Sequence, residues 1–509
     1  MALTYASPGV YVEEVEKGTK PIEAVGTSMT AFVGITSQAS LKAYNLVTSE
    51  RVVMESCLNK PILVTNWSQF VDTFGNLAPG AFLPDAVYGY FANGGGACYV
   101  TSILALEEGG KVKAAEATIP AAKGTSFKVT ANIPGPQGNV TVVTVKLTGE
   151  DTFTLTVAGE THEGLTIKKG DKNVGNVKFE AATISEVGGT SAIPVEGSYV
   201  LSGGGLEPLS VAEFIGDAAA RTGLRGLEAF DDIRLVVCPD LMIGYDGSPE
   251  ARERVKMVQT EMIAQCEKMR YRFTALDTPP GLSAQQAKEW RMYVNFDSPY
   301  AAMYYPWIKI ADLSGSGKAT KIVPPSGHIV GIYNRSDADR GVHKAPANEI
   351  VLGAIDLEFN LSREEQDTLN PIGVNCIRSF PGRGIRVWGG RTLSSNGAWR
   401  YVNVRRLFIW VEASMDAGLQ WVVFEPNDQT LWAKVRRDVS SFLRVVWRGG
   451  ALFGTTPEQA FYVKCDEELN PPEIRDLGQL IIEVGMAPVK PAEFVIFRIS
   501  QWAGANAEA

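Results

Sequence analysis

The stretch Ile233-Arg234-Leu235-Val236-Val237-Cys238 decides the fold of the central part of this chain. An apolar run of this length is typical of a strand that is buried on both faces of a sheet. Shortly after it, Ser248-Pro249-Glu250 combines an N-cap residue, a first-turn proline and an acidic side chain, which together start a helix. The apolar residues that follow recur at steps of three and four, as on one face of a helix: Val255, Val258, Met262, Cys266 and Met269.

The same alternation continues towards the C-terminus. Residues 272–276 are predicted to form a second strand, which the breaker Pro279-Pro280-Gly281 ends. Ser283-x-x-Gln286 has the spacing of a capping box, so a second helix is expected to begin there. Strands that alternate with helices predict a mixed α/β body, which we assign to residues 23–105 and 200–370.

A compositional island separates the two parts of this body. Residues 106–199 are rich in Thr, Val, Gly and Lys, and they lack Trp. Short runs such as residues 140–147 and 153–157 are broken by Gly and Pro clusters, which indicates a small all-β domain. Glycine runs at residues 94–96 and 203–205 flank the island, so we expect an inserted domain with flexible connections.

Charge is unevenly distributed along the chain. The 48 basic and 57 acidic residues give a net charge of −9, which disfavours binding to nucleic acid and to anionic membranes. Residues 378–448 instead carry 12 basic and 5 acidic side chains. Seven of the ten tryptophans lie at or after Trp388, so we predict a separate C-terminal α+β domain over residues 371–509.

Nothing in the sequence suggests export or insertion into a membrane. Residues 1–18 lack the basic start and apolar run of a signal peptide. No apolar stretch reaches the roughly 20 residues that cross a bilayer. We therefore expect cytoplasmic folding without direct membrane insertion.

Signals for catalysis, for a metal or for a cofactor are weak. The cysteines are scattered singly without a C-x-x-C pair, and no histidine has the spacing of a metal ligand. We therefore predict no catalytic residue, no metal and no cofactor. The residues concerned are Cys57, Cys98, Cys238, Cys266, Cys376, Cys465, His162, His328 and His343.

A nucleotide-binding α/β enzyme is nevertheless the main alternative. Residues 315–320 resemble part of a P-loop, but Asp312 replaces its first glycine and Ala319 replaces the hydroxyl residue that binds Mg²⁺. Turn-capping acids are commoner than catalytic acids after strand ends, where α/β enzymes place functional carboxylates. The acids in such positions are Asp240, Asp246 and Asp277.

Both ends of the chain carry apolar segments without an evident local partner. We assign residues 1–22 as an extended linker arm, because its strand-like segment is followed by little core-forming sequence. The C-terminal segment is bulky on both alternating faces, so it needs burial on both sides or cover from another chain. Alternatively, both ends complete the sheet of their own chain. We also expect the C-terminal segment to contribute to the core of the C-terminal domain. The candidate strand residues are Val10, Tyr11, Val12, Glu13, Val15, Phe494, Val495, Ile496 and Phe497.

A helix with two different faces is predicted from about Asp428 to Gly449-Gly450. Its apolar stripe is expected to pack inward, and a basic stripe lies roughly 150° round the helix at about 100° per residue. No acid is interleaved in the basic stripe, which favours a docking surface over a solvated face. The apolar stripe is Trp432, Val435, Val439, Phe442 and Val446, and the basic docking residues are Lys434, Arg437, Arg444 and Arg448.

Six short segments at the two ends and in the C-terminal part of the chain are distinctive: PGVYVEE at 8–14, VWGGRTL at 387–393, YVNVRRL at 401–407, VFEPN at 423–427, GGAL at 449–452 and PAEF at 491–494. They resemble segments of contractile tail sheath proteins, the family of myophage sheaths, R-type tailocins and contractile injection systems. The resemblance covers residues 1–35 and 375–505 most closely and residues 205–370 in part, but not the 106–199 island.

The resemblance implies a structural protein rather than an enzyme. Its terminal arms would add strands to the C-terminal domains of neighbouring copies, which gives a helical homo-oligomer around an inner tube. It further implies an outer position for residues 106–199, an inner position for residues 371–509, and contraction from a metastable extended state that drives the tube through a target envelope. Baseplate and terminator or cap proteins would be further partners, with assembly in the bacterial cytoplasm. A closed-shell structural or adhesive protein is the remaining alternative.

Overall fold

The computed structural model describes residues 22–45, 50–78, 80–106, 112–132, 135, 138–139, 141–185, 187, 189, 192–314 and 319–498. The predicted N-terminal strand residues and the P-loop-like residues 315–318 lie outside the described residues; the former are Val10, Tyr11, Val12, Glu13 and Val15. The strands are, in chain order, β1 Thr30–Thr36, β2 Ser40–Asn45, β3 Glu50–Ser56, β4 Ile62–Val64, β5 Cys98–Ala105, β6 Val112–Lys113, β7 Glu116–Pro120, β8 Thr125–Ala131, β9 Val142–Leu147, β10 Phe153–Val157, β11 Glu160–Leu165, β12 Ala182–Ser185, β13 Gly197–Val200, β14 Gly205–Leu206, β15 Leu235–Val237, β16 Phe273–Asp277, β17 Ala301–Tyr305, β18 Ile308–Ala311, β19 Thr320–Val323, β20 Ala354–Leu357, β21 Val374–Phe380, β22 Gly384–Val387, β23 Phe461–Lys464 and β24 Glu483–Met486. The helices are α1 Trp67–Phe74, α2 Leu83–Ala92, α3 Val211–Ile215, α4 Gly223–Gly226, α5 Pro249–Met269, α6 Ala284–Val294, α7 Ser326–Arg340, α8 Arg363–Leu369, α9 Val402–Gly418, α10 Gln429–Arg448, α11 Pro457–Ala460 and α12 Pro472–Asp476.

The body is built on an eight-stranded sheet in the order β22-β21-β17-β16-β15-β1-β5-β4. Its six central strands run parallel, and one antiparallel strand closes each edge. Parallel neighbours need long crossover connections, which the helices between the strands supply. The predicted mixed α/β body is therefore confirmed.

The motif that predicted this fold lies in the middle of the sheet. β15 and β16 are neighbouring parallel strands, with Leu235 opposite Phe273. The Ser248 side chain accepts a hydrogen bond from the Ala251 amide at 3.2 Å, as expected of the N-cap of α5. Ser283 and Gln286 form the predicted capping box of α6. The predicted β-α-β-α unit is confirmed.

Apolar side chains cover both faces of the sheet. Within β1, Ala31 and Val33 belong to a cluster with the buried residues of α5 and α6, whereas Phe32 belongs to a cluster with those of α2 and α7. Because successive side chains of a strand point to opposite faces, these clusters form on the two sides of the sheet. Burial on both sides explains why the central strands are continuous apolar runs.

The body extends beyond the predicted boundary at residue 370. β21 pairs with β17, with Val374 opposite Met303, and β22 closes that edge of the sheet. Residues 26–409 and 490–498 form one compact unit. Val374 and Cys376 are completely buried in this sheet. The change in charge and Trp content near residue 370 therefore does not coincide with the end of the body, because packing decides which residues belong to it.

Residues 112–206 form antiparallel strands around a separate hydrophobic cluster. The sheets are β11-β10-β9-β13, β12-β8-β7 and the ribbon β14-β6. Along β10 the apolar side chains are buried and the threonines between them are half-buried, as expected of a sheet with one face on a core. All buried members of the cluster lie between Ala115 and Leu201. This segment therefore has a core of its own.

The other compact unit comprises residues 22–25 and 410–489 of the described chain. α10 provides its longest helix, and the antiparallel ribbon β23-β24 provides its sheet. The Trp410 indole donates a hydrogen bond to the Val25 carbonyl at 2.9 Å, and its ring lies 5.9 Å from that of Phe442. The short N-terminal segment is thereby fixed within this unit.

Candidate assembly surfaces

The apolar stripe of α10 is buried, as predicted. Asp428 accepts a hydrogen bond from the Leu431 amide at 2.8 Å and caps the helix. Gly449 and Gly450 follow its last residue. The predicted helix and its inward face are confirmed by the burial of Trp432, Val435, Val439, Phe442 and Val446.

The opposite face of α10 is basic and exposed. Lys434, Arg437, Arg444 and Arg448 are all exposed in this unit. The basic stripe has one acidic neighbour outside it, since the buried Asp438 carboxylate lies 3.1 Å from the Arg437 guanidinium. The Arg437 side chain nevertheless remains 56% exposed and keeps donors for another partner. We call these four residues the basic face.

The basic excess of residues 378–448 does not form one continuous surface. Arg391, Arg405 and Arg406 are buried in the body. Arg406 forms an ion pair with Asp337 at 2.6 Å and lies over the Tyr333 ring. Part of the positive charge therefore stabilises the body and is not available to a partner.

Residues 494–498, the described part of the apolar C-terminal segment, are exposed instead of packed. Among residues 491–498 the structure assigns no strand. The expected contribution to the core of its own chain is therefore wrong for residues 494–498, whereas Ile499 and Trp502 lie outside the described residues. Side chains that are 70 to 82% exposed provide no buried area within the described chain, and these are Phe494, Val495, Ile496 and Phe497.

The ribbon β23-β24 is a small sheet. Phe461 pairs with Met486 and Lys464 with Glu483, and the two strands pair only with each other among the described strands. An isolated two-stranded ribbon is marginal in water, and its outer edges present main-chain donors and acceptors. The ribbon thus has the geometry to accept further strands.

One polar cluster escaped the sequence-based reasoning. The Glu493 carboxylate accepts hydrogen bonds from Arg391, from Asn370 and from the Tyr401 hydroxyl. Arg391 and Glu493 are 102 residues apart, so no local spacing relates them. The only hint was that both lie in segments that resemble the sheath family.

The acids after the strand ends cap backbone amides. The buried Asp240 carboxylate accepts hydrogen bonds from the Ile35 amide at 2.6 Å and the Leu83 amide at 3.2 Å. Burial raises the pKa of Asp240 to about 7. Asp277 accepts from the Ser326 amide at 2.9 Å, and Asp246 from the Ser248 amide at 2.9 Å. These contacts match the predicted capping role.

The described residues also offer no group of His, Cys, Asp or Glu that could hold a metal ion. All six cysteines are buried, and none of them forms a disulfide. His328 is buried, and this burial lowers its pKa to about 4, so it stays neutral at physiological pH. In the described part of the chain, no helix has the length and apolarity needed to span a membrane.

The chain matches two domains of one known protein family. The phage tail sheath protein central domain matches residues 225–393, and the phage tail sheath C-terminal domain matches residues 394–501. These adjacent matches together cover more than half of the chain. The chain belongs to the phage tail sheath family. The border between the two sheath domains follows the last strand of the body sheet, β22.

Individual relatives agree with this assignment. A putative prophage major tail sheath protein of Pseudomonas aeruginosa (strain UCBPP-PA14) is 26% identical over 345 residues, which cover 64% of this chain and 85% of that protein. The tail sheath protein of Vibrio phage KVP40 is 26% identical over 177 residues, which cover 34% of this chain and 26% of that protein. The match therefore spans only about a quarter of the phage protein's length.

A solved sheath structure extends the likeness over the whole fold. The helical sheath of the anti-feeding prophage in its contracted state matches 98% of this chain and 100% of that chain, with 24% identity and a TM-score of 0.59. The likeness shows that the two chains share a fold, including the parts of this chain that the family models leave unmatched.

Proposed function

We propose that this chain is a structural subunit of a contractile sheath that polymerises helically around an inner tube. The subunits contract from a metastable extended state and drive the tube through a target envelope. The observation that carries this function is the continuous match of two tail sheath domains over residues 225–501. Two packings of the same folded subunits store the free energy, so no nucleotide hydrolysis is needed.

The terminal segments link neighbouring copies by strand addition. The exposed residues Phe494 to Phe497 add a strand next to the β23-β24 ribbon of another copy, and the N-terminal segment Val10 to Val15 does the same. Main-chain hydrogen bonds give such an interface its affinity, and apolar side chains lose their exposure to water. The unsatisfied apolar surface of residues 494–497 supports this arrangement.

The basic face docks onto acidic residues of the inner tube. Each partly exposed charge pair is worth about 1 kcal/mol or less, but the pairs repeat along the tube and sum to a stable contact. A polar contact also lets the sheath release the tube on contraction without exposing a large apolar lining. The exposure of Lys434, Arg437, Arg444 and Arg448 supports this role.

The remaining segments take positions that suit this assembly. Residues 106–199 are an inserted decoration on the outer surface, and the unit that contains α10 faces the lumen. Baseplate and terminator proteins bind the ends of the sheath, and assembly takes place in the bacterial cytoplasm. The separate hydrophobic cluster between Ala115 and Leu201 supports the independence of the insertion.

The enzyme and closed-shell alternatives explain fewer of these observations. Asp240 and Asp277 already accept main-chain hydrogen bonds and are buried, which leaves little access for a substrate. An enzyme of this kind would show thermal stabilisation by nucleotides, whereas a sheath subunit would not. A closed shell would give particles of fixed size in place of rods of variable length.

Deletion of residues 1–18 tests the strand-addition model. We expect the truncated chain to remain folded and soluble, with an unchanged unfolding temperature, and to form no rods by negative-stain microscopy. The full-length chain in the same preparation serves as the control. Intact rods from the truncated chain would refute interlacing through this arm.

A further inference from the structure

The C-terminal segment is attached to the body at its start through the carboxylate of Glu493. Arg391 donates to both oxygens of Glu493, from Nε to Oε1 at 2.8 Å and from Nη2 to Oε2 at 2.7 Å. The Asn370 amide donates to Oε1 at 2.7 Å, and the Tyr401 hydroxyl donates to Oε2 at 3.0 Å. A bidentate arginine contact fixes both the position and the orientation of a carboxylate. We call these four residues the arm anchor.

The ion pair at the centre of the arm anchor is largely shielded from solvent. The side chains of Arg391 and Glu493 are only 11% and 19% exposed. Burial by itself raises the pKa of Glu493, but the hydrogen bonds from Arg391 and Asn370 outweigh it and leave the pKa lowered. Glu493 is therefore charged at neutral pH, and the ion pair persists under physiological conditions.

Arg391 is in turn tied to the body sheet. Its amide donates to the side-chain oxygen of Asn375 at 2.7 Å, and the Asn375 amide group donates to the Arg391 carbonyl at 2.7 Å. Asn375 lies on β21 and is completely buried. Two side-chain contacts therefore connect Glu493, through Arg391, to a strand of the eight-stranded sheet.

The contrast between neighbouring residues is sharp. Glu493 is held by three side chains, whereas Phe494 is 72% exposed and Phe497 is 82% exposed. Residues 490–498 group with the body, whereas residues 410–489 belong to the other compact unit. The chain thus returns to the body immediately before the exposed segment begins.

We infer that the Arg391–Glu493 pair transmits the pull of the C-terminal segment to the body sheet of its own subunit. This inference rests on the proposed function, in which a second copy of the chain holds the apolar strand. Without the anchor, the strand still pairs with the neighbouring copy. The loose connection between the strand and its own body then no longer couples the movements of the two subunits. Glu493 is a positioning residue in this device, because it acts through the strand that follows it.

A spin label measures the anchor in the unassembled chain. All six native cysteines are buried, so a cysteine introduced at the exposed Arg498 by Arg498→Cys can be labelled selectively with a nitroxide. In this background we compare the unchanged anchor with Glu493→Ala, Glu493→Gln and the charge swap Arg391→Glu with Glu493→Arg. Glu250→Gln, which removes an exposed carboxylate from the body, is the matched control.

We expect Glu493→Ala to abolish the slowly tumbling component of the nitroxide spectrum in a chain that still folds. Its unfolding temperature should be lower than that of the parent chain, because the largely buried Arg391 loses its partner. Glu493→Gln should give a partial loss, the charge swap should restore the slow component, and Glu250→Gln should leave it unchanged. A spectrum that Glu493→Ala does not alter would overturn the anchor. If Glu493→Ala fails to fold, the Gln variant and the charge swap decide by the same spectrum.

Electron microscopy then separates the anchor from the proposed function. Rods of the Glu493→Ala chain should be shorter and interrupted. If the spectrum shows that the label of this chain is mobile and its rods nevertheless reach wild-type length, the transmission of force is overturned. If the unaltered chain forms no rods under the same conditions, the proposed function fails and the transmission role with it. The spectrum still decides in that case whether the anchor exists.

Discussion

Lys113 and Gly205 are direct partners across the β6-β14 ribbon, although the whole antiparallel segment separates them in sequence. The chain therefore enters and leaves this segment at one place. Because the two connections lie side by side, a short turn can join them without moving either one. The hydrophobic cluster between Ala115 and Leu201 goes with the segment when it is removed.

We therefore predict that residues 114–204 can be replaced by a short Gly/Asn turn. The shortened chain should fold, form sheaths and contract like the full-length chain, because no buried residue of the segment's cluster belongs to the body. Circular dichroism and electron microscopy of both chains check this. Aggregation of the shortened chain would mean that the segment is part of the body's core.

The basic face gives a second prediction. Arg437→Glu combined with Arg444→Glu should leave the subunit folded, because both side chains are exposed. Its unfolding temperature should fall somewhat, since the buried Asp438 carboxylate loses its contact with Arg437. It should strongly reduce the share of extended, tube-filled particles counted by electron microscopy, and empty or contracted sheaths should increase. The matched control is Lys169→Glu with Lys172→Glu. It changes the net charge by the same amount, at two exposed positions within the segment 112–206. Equal shares of extended particles in both variants would show that the basic face is only a solvated surface.

Asp277 gives a prediction on pH. Burial raises its pKa to about 7, above the usual value of an aspartate in an unfolded chain, near 4. Between these two values the folded protein keeps a proton that the unfolded chain has lost, so the free energy of unfolding falls as pH rises through this window. Above the folded pKa the loss is complete.

Asp277→Asn removes this titration. We compare the free energies of unfolding of the variant and the wild type by chemical denaturation. From about pH 5 to about pH 7.5, the difference should shift by about 2 kcal/mol in favour of the variant, because only the wild type loses stability over this range. The control is Asp246→Asn, since hydrogen bonds from Ser248 lower the pKa of this exposed acid. Its titration lies below the window, so no relative change is expected. A pH-independent difference between Asp277→Asn and the wild type would contradict the assignment.

Local patterns in the sequence were sufficient for elements whose partners are near in the chain. The spacing from Trp432 to Val446 predicted α10 and its buried face, because helical periodicity depends only on neighbours within a few turns. The capping pair Ser283 and Gln286 predicted the start of α6 for the same reason.

Contacts between distant residues could not be predicted in this way. The composition change near residue 370 suggested a domain boundary, but β21 pairs with β17 through residues far apart in the sequence. The arm anchor likewise joins Glu493 to residues near 370, 391 and 401, and the burial of Arg406 depends on Asp337. Only the folded chain brings such groups together.

The most direct test of the central claim is a helical reconstruction by cryo-electron microscopy of the particles that the expressed full-length chain forms. We predict hollow rods in which the segment from Glu493 to Phe497 leaves the body of one copy and lies as a strand next to the β23-β24 ribbon of another copy. Closed shells, or rods in which this segment pairs only with its own copy, would contradict the account.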